Sequence, residues 1–231
     1  MSSSPVSDYA RRLDPGRTAL LVIDMQRDFL DGRGYAARAG VDVARLRATI
    51  GPVRTLLVAV RQGGMRVIFT REGHRPDLSD CPPAKLARSR AAAAEIGSTG
   101  PLGRLLVRGE AGHGLINDMN VGAEDIVIDK PGYSAFHHTE LDQILRGGAI
   151  EWLVVCGVTT EVCVHSSVRA ATDHGYRCIT VSDACAASEP QLQQPALDMM
   201  RVEGGLFGEV LDSGLLLERM RSPFANAGSR P

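Results

Sequence analysis

Short apolar runs bounded by turn residues recur along the chain, and runs of this kind are typical of buried strands. The central runs are almost continuous in valine, isoleucine and leucine, which indicates strands of a parallel sheet with helices on both faces. The pattern predicts five strands and a short sixth, at residues 18–24, 66–70, 125–130, 151–158, 176–183 and 209–212.

Longer segments with apolar residues at helical spacing alternate with these runs. In residues 41–62 the apolar side chains recur every three or four positions until Gly63 and Gly64 stop the pattern. Alternating strands and helices are the pattern of βαβ units, so we expect an α/β fold with a mostly parallel sheet. The other predicted helices lie at about 139–146, 161–174, 191–202 and 213–221.

The stretch 71–124, between the second and third strands, follows neither pattern and is rich in glycine, proline and arginine. Long segments of this kind inside a domain often carry functional residues, so we predict an insertion that shapes a site. No repeat or linker divides the 231 residues. A single domain is therefore expected over 1–231, with an N-terminal extension at 1–17 and a flexible tail at 223–231.

The overall charge argues against polyanionic partners. Lysine and arginine number 26 against 27 aspartates and glutamates, which gives a formal net charge of -1. We therefore expect neither nucleic acid nor a membrane surface as a partner. The first residues lack the apolar core of a signal peptide, and no apolar stretch approaches the roughly 20 residues that span a bilayer. A cytoplasmic location is expected.

Three ionisable residues stand at or just beyond the carboxyl ends of predicted strands, where open α/β sheets bind their ligands. Asp24 ends the first strand, Lys130 ends the third, and Cys163 begins the helix after the fourth. A helix N-terminus lowers the pKa of a cysteine thiol, and a nearby lysine lowers it further. A carboxylate can take the thiol proton and return it to a leaving amine. Backbone amides from Thr159 or Thr160 through Cys163 can receive the oxyanion, so we predict a nucleophilic thiol.

Each of the three residues also has an ordinary structural explanation. An aspartate at a strand end is often a helix N-cap, and a lysine before Pro131 and Gly132 is often exposed beside a turn. A lone cysteine is more often a small buried hydrophobe than a catalyst. The coincidence of the three at equivalent strand ends favours a catalytic site. The remaining cysteines, without a C-x-x-C pair and expected to stay reduced, are Cys81, Cys156, Cys178 and Cys185.

Three segments carry a family resemblance, namely LLVIDMQRDF (20–29), VIDKPGYSAF (127–136) and CGVTTEVCVHSSVRAATDHGY (156–176). In form and order they resemble the motifs of the isochorismatase-like cysteine hydrolases, over about 18–210. The resemblance implies a single-domain, Rossmann-like three-layer α/β sandwich without a dinucleotide. It also implies that Asp24, Lys130 and Cys163 are the catalytic triad, and that a non-proline cis peptide joins Val158 to Thr159 and aims amides into the oxyanion hole.

Within that family, the segments 70–90, 96–116 and 202–210 look like the biuret hydrolase branch, which cuts a terminal amide from small linear carbamoyl ureas. The expected reaction is therefore hydrolysis of triuret or biuret through a thioester, releasing ammonia and a carboxylated urea. The alternatives are a ureidoacrylate or N-carbamoylsarcosine type of hydrolase. Phe29 lies where relatives place an aromatic wall against the substrate, although it can equally be a hydrophobic staple.

Nicotinamidases of the family carry an Asp-x-His metal set after the second strand. Residues 70–74 of this chain read Thr-Arg-Glu-Gly-His, without that aspartate. We therefore expect no metal and no other cofactor, and the sequence assigns no role to Arg71, Glu72 or His74. Isochorismate hydrolysis is not expected either, because members acting on that vinyl ether lack the cysteine nucleophile.

Glu203 departs from the biuret hydrolase pattern, which has a glutamine before the Gly-Gly pair. An ionised glutamate only accepts hydrogen bonds, so it would suit a substrate end that presents only N–H donors. If Glu203 faces the end of the pocket far from the thiol, triuret becomes a candidate beside biuret. A surface glutamate next to a turn is the alternative.

Other classes of protein fit the sequence less well. A member that only binds its ligand has no need of the three strand-end residues. A dinucleotide-dependent oxidoreductase needs a G-x-G-x-x-G turn where this chain has MQRDFLDGRG (25–34). A peroxide sensor lacks a resolving partner at C-x-x-C spacing. The expected partner is a small-molecule substrate, and the resemblance implies a homo-oligomer, either a dimer or a tetramer.

Overall fold

The computed structural model describes residues 13–221, and its centre is a six-stranded sheet in which every pairing is parallel. In chain order the strands are β1 (Thr18–Ile23), β2 (Arg66–Glu72), β3 (Thr99–Gly100), β4 (Gly103–Arg104), β5 (Ile126–Lys130), β6 (Trp152–Val158), β7 (Arg177–Ala186) and β8 (Glu209–Leu211). Only β3 and β4 lie outside this sheet, as an antiparallel pair. All six strands predicted from the apolar runs are present.

The helices are α1 (Arg27–Leu30), α2 (Tyr35–Arg38), α3 (Val43–Arg47), α4 (Ile50–Gln62), α5 (Pro83–Ala91), α6 (Leu141–Gly147), α7 (His165–Asp173), α8 (Pro190–Met200), α9 (Val202–Gly205) and α10 (Ser213–Arg221). Strands β1 and β6 are buried at every position, so both faces of the sheet are covered. Helix α4 packs on β1 and β2 and contacts α10, while α7 and α8 contact each other and β7. The fold is a single-domain, three-layer α/β sandwich, as predicted.

The strand order in the sheet is β5-β2-β1-β6-β7-β8. The direction of chain progression reverses between β1 and β6, and such a switch point opens a crevice at the carboxyl ends of the strands. The two central strands approach closely there, because Gly157 pairs with Ile23. Gly157 has φ +115°, and a Cβ atom at this position would lie 2.1 Å from the carbonyl oxygen of Ile23. Only glycine fits.

Residues 41–62 form two helices instead of the single predicted helix. Helix α3 ends at Arg47 and α4 begins at Ile50. Pro52 accounts for the break, because a proline has no amide to donate to the carbonyl four residues earlier and its ring crowds that carbonyl. In the first turn of α4 the same proline is tolerated, since an amide there has no partner within the helix.

Residues 71–124 contain more regular structure than the sequence predicts. Arg71 and Glu72 extend β2 by two residues, after which come α5 and the β3–β4 pair. The buried carboxylate of Asp28 fastens this segment to the start of the chain by accepting the amide of Leu106 at 3.0 Å. Of the predicted termini, residues 1–12 and the whole tail at 223–231 lie outside the described part. Within residues 13–221, no helix is long and apolar enough to cross a membrane.

Candidate active site

The carboxyl ends of four neighbouring strands converge on one buried cluster. Asp24 follows β1, Lys130 ends β5, and Cys163 lies in the π-helical turn Thr160–Val164 between β6 and α7. Glu72 ends β2, where it pairs in register with Lys130. Because β5, β2, β1 and β6 are adjacent in the sheet, their final side chains meet in one place. All four residues are less than 5% exposed.

Lys130 lies at the centre of this cluster. Its Nζ atom is 2.8 Å from Asp24 Oδ2, 3.4 Å from Glu72 Oε2 and 3.5 Å from Cys163 Sγ. It also donates to the carbonyl of Gly132 at 3.0 Å. Burial alone would lower the pKa of Lys130, but Asp24, Cys163 and Glu72 together raise it above its ordinary value. The ammonium is therefore charged, and the structure brings the predicted triad into mutual contact.

Asp24 is held in a fixed orientation by β2. Its backbone is in the left-handed region, with φ +52°, and its amide donates to the carbonyl of Thr70 at 3.2 Å. The Thr70 hydroxyl donates to Asp24 Oδ1 at 2.7 Å. Burial raises the pKa of Asp24 from its ordinary value, and the charge of Lys130 only partly opposes this. Asp24 is therefore a carboxylate able to accept a proton.

The thiol of Cys163 is buried, and it donates to Glu72 Oε2 at 3.2 Å. Burial raises the pKa of Cys163 well above its ordinary value; Lys130 lowers it, but Glu72 and Asp24 add to the rise. Lys130 therefore acts in the predicted direction, but burial outweighs it, and the net shift of the thiol pKa is upward instead of downward. A buried thiolate beside two carboxylates is costly, so the resting group is a neutral thiol.

The segment before Cys163 carries the predicted cis peptide bond, between Val158 and Thr159. The carbonyl of Thr159 accepts the amides of Val162 at 3.2 Å and Val164 at 3.1 Å. Val158 is buried beneath this turn, whereas Thr159 and Cys163 both line an open cavity. The turn therefore exposes the Thr159 residue and the Cys163 thiol to the same cavity.

That cavity has a volume of about 320 Å³. Phe29, which is 8% exposed, forms part of its wall and packs edge to face on Tyr35, with ring centroids 6.0 Å apart. Much of the opposite lining comes from the 71–124 segment, through Lys85, Arg88, Ser89, Ala92 and Ile96. A larger cleft of about 800 Å³ adjoins it and shares Lys85, Arg88 and Tyr133, but Cys163 does not line that cleft.

Glu203 is placed differently from the prediction. It is exposed, has φ +53° and belongs to the turn α9 that follows α8. Among the described residues, those that line the cavity with Cys163 do not include Glu203. Glu203 lies in an exposed turn after α8, whereas Glu161 and Ser188 line the cavity. Glu161 Oε1 accepts the amide of Ser188 at 3.0 Å.

Sequence reasoning missed Glu72 and Lys85. Lys85 Nζ is 2.6 Å from Glu72 Oε1, and both side chains are buried. Glu72 shares the strand-end position that singled out Asp24 and Lys130, but the apolar run of β2 stops two residues before the strand does. Arg71 and His74 have other contacts: Arg71 pairs with Asp129 at 2.7 Å, and His74 Nδ1 lies 3.3 Å from Asp80.

The donor atoms of Asp24, Glu72 and Cys163 lie within 4.8 Å of one another, close enough to hold a metal ion. However, the Lys130 ammonium is within 3.5 Å of all three residues. A positive charge in that position neutralises the carboxylates and repels a second cation. The donor set therefore does not fit a metal while Lys130 is protonated.

Comparison with known proteins adds independent information. The family model of the isochorismatase domain matches residues 18–214. Ureidoacrylate amidohydrolase RutB of Serratia proteamaculans (strain 568) is 31% identical over 232 residues, which cover 96% of this chain and 90% of that protein.

Solved structures show the same relationship. A cysteine hydrolase from Pseudomonas syringae pv. phaseolicola 1448A superimposes with a TM-score of 0.76 at 28% identity, covering 90% of this chain and 94% of that one. N-carbamoylsarcosine amidase from Thermoplasma acidophilum gives a TM-score of 0.66 at 27% identity, covering 85% of this chain and 96% of that one.

Proposed function

Because the chain belongs to the isochorismatase domain family and is an amidohydrolase, we propose that Cys163 attacks the terminal amide carbonyl of a small ureido compound. One observation carries the proposal. The Cys163 sulfur lies 3.5 Å from the Lys130 ammonium and 3.2 Å from Glu72 Oε2, and the thiol opens onto a cavity of small-molecule size.

The proposed reaction proceeds in two halves. Asp24 accepts the thiol proton, and Cys163 Sγ forms a bond to the carbonyl carbon. The oxyanion that results accepts hydrogen bonds from backbone amides of the turn from Thr159 to Cys163. The C–N bond then breaks, and the leaving amine takes the proton from Asp24. Water next attacks the thioester, giving the acid and the free thiol. Lys130 remains protonated throughout and stabilises the thiolate whenever the sulfur is not bonded to carbon or hydrogen.

The substrate class follows from a group that several candidates share. Ureidoacrylate, N-carbamoyl amino acids, biuret and triuret all present a terminal carbamoyl group on nitrogen. The named relative is a ureidoacrylate amidohydrolase, and Arg88 on the cavity wall provides positive charge for a substrate carboxylate. A ureido acid of the ureidoacrylate type is therefore the first candidate.

Linear carbamoyl ureas are the second candidate, because segments 70–90 and 202–210 resemble the biuret hydrolase branch. The position of Glu203 outside the cavity removes the reason to rank triuret above biuret. Substrates of this class are uncharged and would use the cavity without an ion pair to Arg88.

Ammonia release distinguishes these candidates. Purified protein is incubated separately with ureidoacrylate, N-carbamoylglycine, biuret, triuret and nicotinamide, with Cys163→Ala as the control. We expect turnover of at least one ureido compound, no turnover of nicotinamide, and no ammonia from the control. Activity restricted to nicotinamide, or ammonia release by the alanine variant, would contradict the proposal.

A further inference from the structure

Besides Asp24 and Lys130, a second carboxylate–ammonium pair, Glu72 with Lys85, reaches the Cys163 thiol through its carboxylate. The two oxygens of Glu72 are used separately. Oε1 pairs with Lys85 Nζ at 2.6 Å, whereas Oε2 accepts the thiol at 3.2 Å and lies 3.4 Å from Lys130 Nζ. Glu72 is thus the residue that connects the thiol, the central lysine and the 71–124 segment.

This pair is built rigidly into the fold. The side chain of Gln26 clamps the backbone of Glu72: its Oε1 accepts the Glu72 amide at 2.7 Å, and its Nε2 donates to the Glu72 carbonyl at 2.9 Å. Lys85 is fixed by donating to the carbonyl of Pro131 at 2.7 Å. The side chains of Glu72 and Lys85 are only 4% and 6% exposed. A surface ion pair has no such supports.

The charges of the cluster balance only when Lys85 is counted. With a neutral thiol, the carboxylates of Asp24 and Glu72 offset the ammonium groups of Lys85 and Lys130. The balance persists when the thiol proton moves to Asp24, because one negative charge then lies on sulfur instead. Without Lys85, Glu72 would place an uncompensated negative charge beside the sulfur that has to ionise, at a cost that is large in a buried site.

On the basis of the proposed function, we infer that Glu72 is a positioning residue for the hydrolysis and that Lys85 is its dedicated counter-ion. The ionised carboxylate of Glu72 holds the thiol against Lys130, and Lys85 cancels the charge that would otherwise oppose thiolate formation. The two carboxylates therefore have different tasks, since Asp24 exchanges a proton and Glu72 stays anionic.

The acid–base properties of the two carboxylates support this division. Burial alone would raise the pKa of Glu72, but Lys130 and Lys85 lower it to about 2. Burial raises the pKa of Asp24 instead. Two neighbouring carboxylates whose pKa values move in opposite directions commonly divide acid–base roles in this way.

The charged and titratable groups around the thiol come from several elements. They are Asp24 after β1, Glu72 on β2, Lys85 on α5 and Lys130 on β5. Arg88 on α5, Glu161 in the turn before α7 and the phenols of Tyr35 and Tyr133 line the same cavity. Removing one of these charges should shift the pKa of the Cys163 thiol in a predictable direction. Loss of the Glu72 charge favours the thiolate, and loss of the Lys85 charge disfavours it.

The test measures the pH dependence of Cys163 alkylation by iodoacetamide, which needs no substrate. In each variant the other four cysteines are monitored by mass spectrometry, so that only modification of Cys163 is scored. We expect Glu72→Gln to shift the alkylation midpoint to lower pH, Lys85→Met to shift it to higher pH, and the double variant to return close to the wild type. Lys85→Arg keeps the charge and should leave the midpoint in place.

Ammonia release is measured on the same variants. We expect Glu72→Gln to lower kcat at least tenfold with little change in KM, although its thiol ionises more readily, because the sulfur is no longer held against Lys130. Glu95→Gln is the matched control, since Glu95 belongs to the same segment but pairs with Arg90 at 2.7 Å on the surface. It should change neither the midpoint nor kcat.

The outcomes separate this inference from the proposed function. Midpoints that move in the same direction in both single variants, or in neither, would show that the pair has only a structural role. If Glu72→Gln does not fold, the contrast between Lys85→Met and Lys85→Arg decides the question alone. Opposite shifts without turnover of any ureido compound would support the positioning role and reject the substrate class.

Discussion

At the scale of single residues, the site depends on groups that are buried but paired with an opposite charge or a hydrogen-bond donor. The Asp24 carboxylate accepts a hydrogen bond from the Thr70 hydroxyl at 2.7 Å and pairs with the Lys130 ammonium at 2.8 Å. Burial without such partners would favour the neutral acid and leave an unpaired lysine, which costs several kcal/mol. Burial raises the pKa of Cys163, so the reaction that we propose begins with proton transfer from a neutral thiol.

Replacement of the nucleophile tests the role of Cys163 directly. We expect Cys163→Ala and Cys163→Ser to abolish turnover while the fold survives, because a serine hydroxyl is not activated by this cluster. Ammonia release gives the activity, and thermal unfolding gives the control for folding. A variant that retains a tenth of the wild-type rate would overturn the assignment.

Phe29 belongs both to the hydrophobic core and to the cavity wall. Phe29→Ala should lower the free energy of unfolding by about 3 to 5 kcal/mol, as is usual for loss of a buried phenylalanine. It should also lower kcat/KM, because the substrate loses one side of its pocket. Urea denaturation and steady-state kinetics measure the two effects. A loss of stability with unchanged kcat/KM would leave Phe29 as a hydrophobic staple only.

At the scale of elements, the 71–124 segment builds one side of the cavity and is tied down by residues far away in sequence. Asp28 on α1 accepts the amides of Tyr35 at 3.3 Å and Leu106 at 3.0 Å, so one carboxylate joins α1, α2 and the loop after β4. Helix α5 places Lys85 against Glu72, and the side-chain amide of Gln26 donates a hydrogen bond to the carbonyl of His113 at 3.0 Å. The segment is therefore an integral wall of the site.

The burial of Asp28 predicts a pH dependence of stability. Burial raises the pKa of Asp28 to about 6 from 3.8, although the amides of Leu106 and Tyr35 partly oppose this. Between these pH values the unfolded chain has lost the proton and the folded chain keeps it. The contribution of Asp28 to stability therefore falls as the pH rises through this window, by roughly 3 kcal/mol in all, and levels off above pH 6.

Asp28→Asn removes this titration. Unfolding free energies of the wild type and the variant are compared by urea denaturation from pH 4 to pH 7. We expect the variant to become more stable relative to the wild type as the pH rises through this window, because only the wild type has to ionise a buried acid. A difference that stays constant with pH would show that Asp28 ionises as easily in the folded protein as in the unfolded chain.

At the scale of the whole molecule, the strand order decides which side chains meet. The switch between β1 and β6 opens the crevice, and the outward order to β2 and β5 brings Glu72 and Lys130 to the same edge. The central position of Lys130 gives the cluster a cation of its own. The catalytic chemistry that we propose therefore needs no metal.

Metal independence is tested on the purified enzyme. Exhaustive dialysis against EDTA and 1,10-phenanthroline should leave ammonia release unchanged, since the Lys130 ammonium occupies the space among the three donor groups. Metal content is measured before and after dialysis. Loss of activity that is restored by added Zn²⁺, Mn²⁺ or Fe²⁺ would contradict this expectation and imply that Lys130 is neutral or displaced.

Local patterns in the sequence determined a large part of this protein. The periodicity of apolar residues is a property of each segment alone, so it located all six strands of the sheet and the alternation that makes the fold α/β. Because ligands bind at strand ends in such folds, the same pattern singled out Asp24, Lys130 and Cys163. Family motifs placed the cis peptide at Val158 and Thr159.

Only the tertiary structure decided how those groups interact. Lys85 on α5 meets Glu72 at the end of β2, and Glu203 in the exposed turn α9 lies outside the pocket. No local pattern in the sequence encodes either position. The pKa of Cys163 rises instead of falling because the cost of burying a charge depends on everything around it. Periodicity reports which face of a segment is buried, whereas proximity and solvation exist only once the chain has folded.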